Sequence, residues 1–208
     1  MKHITFYLDF ISPYAYLAFE KLPEALLGHS YSVTYRPILF AALLKHHSQL
    51  GPAEIPAKRA WTDRHVLWLA QQNGVELQLP AQHPFNPLGL LRLALACSDS
   101  GLPSRYVCER IFRHVWQGGQ DAADAQRLQA LTAQLAPPHG VNDALARIQL
   151  RSHTDDAIAK GVFGAPTFEV DGKLFWGLDS LPMLKAYLDE DPWFGSAWAA
   201  ADQVGQWP

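Results

Sequence analysis

Cysteine is scarce in this chain: two residues, Cys97 and Cys108, among 208. A disulfide-stapled secreted scaffold needs more, and so does a multi-cysteine zinc module. Basic charge is not in excess either. Lysine and arginine number 17 against 20 aspartates and glutamates, a net charge of −3. A dedicated nucleic-acid binder needs clustered cations and is not expected. No apolar run approaches the ~18 residues of a membrane span. The start, Met1-Lys2-His3-Ile4, lacks the apolar core of a signal peptide, so a cytoplasmic protein without membrane contact is expected. What the chain does have is apolar mass. It is 49% hydrophobic and 18% charged, enough to bury a sizeable core within one domain of 23.2 kDa.

The two ends read as β structure. Ile4 to Asp9 is apolar on both sides and predicts a buried strand. Ser12-Pro13 then starts a helix, with serine at N-cap and proline in the first turn. Pro23 is expected to end or kink that helix. Ser32 to Arg36 is a second strand, stopped by Pro37, so the first 37 residues predict β-α-β with a parallel pair. Near the other end, Thr167 to Val170 and Lys173 to Trp176 flank Asp171-Gly172, a strong hairpin signal. A last helix through Leu184 and Leu188 follows, with Asp179 as its expected N-cap. The tail carries Trp193, Phe194, Trp198 and Trp207 without a pattern.

Strand patterns are missing between Pro37 and Gly164. Helical stripes replace them. Trp61, His65, Trp68 and Leu69 share one face, as do Val107, Cys108, Ile111, Phe112, Val115 and Trp116. Asn86 is placed to cap a run through Leu95. A stretch through Leu145 and Leu150 precedes a further helix from Ser152 to Phe163. Without the helical block a thioredoxin-like fold remains. The expected organisation is a thioredoxin-like domain of residues 1–37 and 164–208, with an inserted helical subdomain of residues 38–163.

That frame places three junctions where chemistry is possible. In a thioredoxin-like fold the first strand-to-helix junction holds a Cys-x-x-Cys pair. Here Ser12 and Ala15 occupy those positions, which excludes dithiol exchange at this site. A hydroxyl at a helix N-terminus remains. It is either a plain N-cap or a donor to a bound thiolate, favoured by the helix dipole. At the second junction, Ala165-Pro166 enters a strand. A cis bond there turns the Ala165 backbone towards Ser12 for strand-like pairing with a peptide, whereas a trans bond simply starts an edge strand. The third is Trp176-Gly177-Leu178-Asp179-Ser180. Its amides and the Asp179 carboxylate suit an amino-acid head group, and ordinary capping explains it as well. His46-His47 diverge by ~100° on a helix, so a zinc site is not expected there. Cys97 and Cys108 fall on helical stripes and read as buried reduced thiols.

Three segments carry a family likeness: residues 6–17 (FYLDFISPYAYL), 52–60 (PAEIPAKRA) and 161–179 (GVFGAPTFEVDGKLFWGLD). Through them the chain resembles the 2-hydroxychromene-2-carboxylate isomerases and the related kappa-class glutathione transferases. The resemblance implies a DsbA-like thioredoxin fold (α/β) with a large helical insertion, glutathione as cofactor and a homodimer. It puts the catalytic serine on Ser12, where it stabilises the glutathione thiolate. It puts cysteinyl pairing on Ala165 beside Pro166, and the glutamyl-holding stretch on Trp176, Gly177, Leu178, Asp179 and Ser180. Lys45 is the first candidate for a substrate carboxylate, with Gln49 nearby, although a solvated lysine fits equally. Asn86 falls where relatives carry an asparagine near the substrate. Trp61, Trp68 and Phe85 are available as apolar walls, though their spacing also suits a core. The implied reaction is cis–trans isomerisation of a small aromatic carboxylate, 2-hydroxychromene-2-carboxylate, in aromatic catabolism. Two other readings stand beside it: a kappa-type transferase or peroxidase, and a non-catalytic thioredoxin-fold protein that captures extended peptides beside Pro166.

Overall fold

The computed structural model describes residues 1–201; Trp207 lies outside them. Four strands form one sheet: β1 (Lys2–Leu8), β2 (Tyr31–Pro37), β3 (Thr167–Val170) and β4 (Lys173–Trp176), in the order β2-β1-β3-β4. β1 pairs parallel with β2, from Lys2↔Tyr31 to Leu8↔Pro37. It pairs antiparallel with β3 through Phe6↔Phe168. As an interior strand covered on both faces, β1 buries Ile4, Phe6, Tyr7 and Leu8 completely. This is why its sequence is a continuous apolar run rather than an alternating one. β3 and β4 form the expected hairpin. Asp171 and Gly172 both take left-handed backbone, φ 49° and 77°, the type I′ geometry that an Asp-Gly pair favours.

The helices are α1 (Pro13–Ala25), α2 (Phe40–His46), α3 (Pro56–Gln72), α4 (Leu88–Ala96), α5 (Arg105–Trp116), α6 (Ala125–Leu135), α7 (Ala144–Ala159), α8 (Leu181–Leu188) and α9 (Trp193–Ala201). Helices α2 to α7 all lie between β2 and β3 in sequence, so the chain has the DsbA-like thioredoxin arrangement with a helical insertion. Leu43 of α2 packs with Tyr7, Ile38, Ala157 and Val162 in a smaller cluster, while helices α3 to α7 share one apolar core with the sheet. Phe112 of α5 sits at its centre, 4.9 Å from the Phe10 ring, 5.2 Å from Phe19 and 5.8 Å from Tyr16. Burying rings of this size contributes ~1.5–3 kcal/mol each. Among the described residues no helix is long and apolar enough to cross a membrane.

The local reading needs correction at four places. Of the two effects expected of Pro23, an end or a kink, the end does not occur: α1 runs through it to Ala25. A proline there removes the N–H that would bond the Phe19 carbonyl. The Arg105 guanidinium donates to that carbonyl instead, through both terminal nitrogens at 3.4 Å, and lies over the Phe19 ring. Residues 145–159 form one helix, α7, rather than two pieces. It is anchored to the exit of β2, where Thr154 Oγ1 accepts from Leu39 N–H at 3.1 Å. Asp179 is not the N-cap of α8: it lies within a short 3-10 turn, Leu178–Ser180, and Ser180 takes the cap position. Trp61 and Trp68 are not core. They are 65% and 55% exposed, while Phe85 is buried. Cys108 is buried and Cys97 half-buried, and neither is paired.

Candidate active site

The turn from β1 into α1 is held by hydrogen bonds to Asp9, Phe10, Ile11 and Ser12. Trp116 Nε1 donates to Phe10 O at 3.0 Å, and His83 Nε2 donates to Ile11 O at 3.0 Å. Burial pushes His83 below its usual range, so the ring stays neutral and serves as a donor. Ser12 N–H donates to Asp9 O at 3.1 Å. The Asp9 carboxylate accepts from Ile11 N–H at 3.2 Å and from Phe40 N–H at 2.9 Å, which ties the turn to the start of α2. None of these partners was singled out from the sequence. Only Asp9 offered a signal, an acid ending a strand apolar on both faces.

Asp9 is fully buried, and desolvation pushes its carboxyl up to about 7 from the ordinary 3.8, against the lowering effect of its backbone donors. A folded-state pKa above the unfolded one means that folding favours the protonated form. The corresponding stability is fully present below about pH 4 and is lost as pH rises through 7. The gap is worth about 4 kcal/mol. Asp9→Asn is therefore expected to flatten stability between pH 4 and 8. Urea unfolding midpoints across that range check it, and a variant with the same slope as the parent contradicts it.

Ser12 caps α1 with extended backbone, φ −89° and ψ 114°, and its Oγ accepts from Ala15 N–H at 3.2 Å. The same hydroxyl donates to the Ala165 carbonyl at 3.1 Å. Residues 12 and 165 thus meet across 153 positions of sequence. The Ala165-Pro166 bond is cis, the first of the two alternatives the sequence leaves open there, and the His83-Pro84 bond is cis as well. Pro13 has no N–H to give, and Tyr14 N–H has no acceptor among the described residues. That leaves an orphan donor at the positive end of a 13-residue helix.

Beside this junction opens a groove of 860 Å³, lined by Ala165, Pro166, Trp176, Gly177, Leu178 and Asp179 together with Tyr14 and His65. Six of the residues named from the sequence therefore line one groove. Ser12 lies just beneath, 7% exposed. Ser180 turns its Oγ back to the Gly177 carbonyl at 2.8 Å. Gly177 takes φ 97° and ψ 161°, a region essentially reserved for glycine, and its N–H donates to Pro166 O at 2.9 Å. The N–H groups of Ala165, Leu178 and Asp179 find no acceptor among the described residues. The groove thus presents unused backbone donors and two carboxylates, Asp179 and the Lys21-paired Glu24, together with Lys185, a set that fits a peptide with a zwitterionic end. Lys45, Gln49 and Asn86 are exposed and do not line it. Asn86 Oδ1 accepts from Leu88 N–H at 3.1 Å, at the start of α4. His46 and His47 are exposed, and no group of three or more metal-ligating side chains gathers among the described residues.

The chain matches the family model of the DSBA-like thioredoxin domain over residues 3–189. It is 28% identical over 204 residues to a 2-hydroxychromene-2-carboxylate isomerase of Sphingobium xenophagum, with 90% of this chain and 98% of that protein covered. It is 26% identical over 209 residues to glutathione S-transferase kappa 2 of Caenorhabditis elegans, with 91% and 92% covered. Among solved structures, a 2-hydroxychromene-2-carboxylate isomerase superposes with a TM-score of 0.78 at 21% identity, covering 98% of this chain and all of that one. At that identity the likeness is one of fold.

Proposed function

The chain belongs to the DSBA-like thioredoxin domain family, and from that premise we propose that it is a glutathione-dependent isomerase acting on 2-hydroxychromene-2-carboxylate or a close relative. The observation that carries this reading is the 3.1 Å contact from Ser12 Oγ to the Ala165 carbonyl. It sets the start of α1, the loop before β3 and the Trp176–Asp179 turn around one groove. The isomerase and kappa-class names of its relatives support the same reading.

In it, Ala165 pairs by its free N–H with the cysteinyl backbone of glutathione. The Leu178 and Asp179 N–H groups receive the glutamyl carboxylate, and the Asp179 side chain receives the ammonium. Bound glutathione would supply the thiolate nucleophile for isomerising the conjugated double bond of the ring-opened substrate, without net redox change. Ser12 turns its hydroxyl from Ala165 O to the sulfur, and with Tyr14 N–H and the helix end it favours the thiolate. The chain carries no thiol at this site, so its own part is binding, orientation and charge stabilisation. The same reading includes a cytoplasmic homodimer.

Calorimetry with glutathione separates an enzyme of this kind from a peptide-binding protein, which takes extended peptides without preferring glutathione. Glutathione-dependent turnover of 2-hydroxychromene-2-carboxylate is the expected result. Reduction of a hydroperoxide without that turnover overturns the isomerase in favour of the kappa-type alternative.

A further inference from the structure

The groove is also lined by two side chains that the reaction described above does not use. Tyr14, two residues beyond Ser12, places its hydroxyl 2.9 Å from His65 Nδ1 on α3. Both side chains line the groove. The imidazole is sandwiched on its helix. Trp61 stacks on one side at 5.8 Å and 19°, and Trp68 on the other at 6.3 Å and 13°. Both indoles are more than half exposed, so burial does not explain them. Their geometric effect is to fix the plane of a half-buried histidine between them.

Proton counting shows what such a pair can do. A phenol and a neutral imidazole hold one O–H and one N–H between them, and their mutual hydrogen bond uses one. Burial raises the Tyr14 phenol above its usual range, with the nearby Asp179 carboxylate adding to the effect, so the phenol remains a donor. With Tyr14 donating to Nδ1, the ring proton sits on Nε2. No hydrogen bond among the described residues uses that nitrogen. The pair therefore keeps one donor in reserve, on a rigid mount, in the groove beside the start of α1.

We propose that His65, oriented by Tyr14 and clamped by Trp61 and Trp68, donates a hydrogen bond to the substrate oxygen that becomes negative when the enone is attacked. The inference rests on the isomerase reading and adds a catalytic residue to it. As the nucleophile adds to the double bond, the displaced electron pair moves through the adjoining single bond onto the ketone oxygen. His65 Nε2–H stabilises that oxyanion without losing its proton. When the pair returns, the double bond re-forms in its new geometry and the nucleophile departs. Such a donor acts only on the charge that develops, which is how it accelerates the step rather than merely binding the substrate.

The test uses the full chain in the parent, His65→Phe and His65→Gln forms. With S-methylglutathione in the groove, 4-nitrophenolate serves as a stable oxyanion and 4-nitrotoluene as its neutral shape. The expected result is phenolate binding about tenfold weaker in His65→Phe, partly restored by the amide N–H of His65→Gln, with nitrotoluene binding unchanged. Glutathione-dependent isomerisation falls about ten- to a hundredfold in His65→Phe. Glutathione alkylation by benzyl chloride, which makes no oxyanion on the substrate, keeps its rate. Equal losses with benzyl chloride and the chromene overturn the proposal, because they mean general damage to the groove. Phenolate bound by the parent no better than nitrotoluene overturns it too. A parent that binds phenolate selectively through His65 but isomerises nothing keeps His65 as an oxyanion donor and overturns the isomerase reading, and with it the catalytic role.

Discussion

Ser12→Ala is expected to leave glutathione bound and turnover largely lost. The hydroxyl has two neutral partners in the structure, accepting from Ala15 N–H and donating to Ala165 O. Turning it to a thiolate exchanges a neutral bond worth about 0.5–1.5 kcal/mol for one to a charged group worth about 1.5–3. The surplus is about 1–2 kcal/mol, or roughly one pH unit in the thiol midpoint. The Leu178, Asp179 and Ala165 contacts remain in the variant, so affinity for glutathione is expected to stay within about tenfold. Turnover near neutral pH is expected to fall roughly tenfold or more, because the thiolate loses both its population and its oriented donor. The thiolate absorbance of bound glutathione, titrated in both proteins, is the direct measurement. A midpoint that does not move, with activity kept, makes Ser12 an ordinary N-cap. The lost cap itself costs about 0.5–2 kcal/mol of stability, which thermal unfolding reads separately.

Gly177→Ala is expected to do the opposite: to weaken glutathione binding while sparing the chemistry of whatever still binds. The backbone of Gly177, at φ 97° and ψ 161°, is denied to alanine at a cost of about 1–3 kcal/mol. A Cβ there would also overlap the Asp179 carboxylate. The turn has to rearrange, losing the Gly177 N–H bond to Pro166 O and displacing the free N–H groups of Leu178 and Asp179. Glutathione affinity is expected to drop about tenfold or more, with turnover at saturating glutathione near that of the parent. Calorimetry and saturation kinetics together check it. Unchanged affinity contradicts the assignment of this turn to the glutamyl end. Opposite responses at Ser12 and Gly177, one in turnover and one in affinity, distinguish a thiolate site with a separate binding turn from a single undivided pocket.

Much of this site is legible in the sequence because its signals are local. Ser12-Pro13 specifies a helix start through a side-chain acceptor and a preset φ. Asp171-Gly172 specifies a hairpin through two left-handed residues. The apolar run from Ile4 specifies an interior strand. Each of these depends on neighbours in the chain, so residue type alone determines it, and the family likeness of residues 6–17 and 161–179 rests on the same segments. Tertiary structure decided the rest. Pro23 stays inside α1 because Arg105, far along the chain, supplies the lost hydrogen bond. Trp116 and His83 hold the Ser12 turn from 106 and 72 residues away. Trp61, His65 and Trp68 follow helical spacing that suits a core stripe equally well. Only the packing of α3 against α1 brings His65 to Tyr14 and leaves both indoles facing solvent. Periodicity states which residues share a helix face; what that face meets depends on how the helix is laid against the others, and no local preference encodes that.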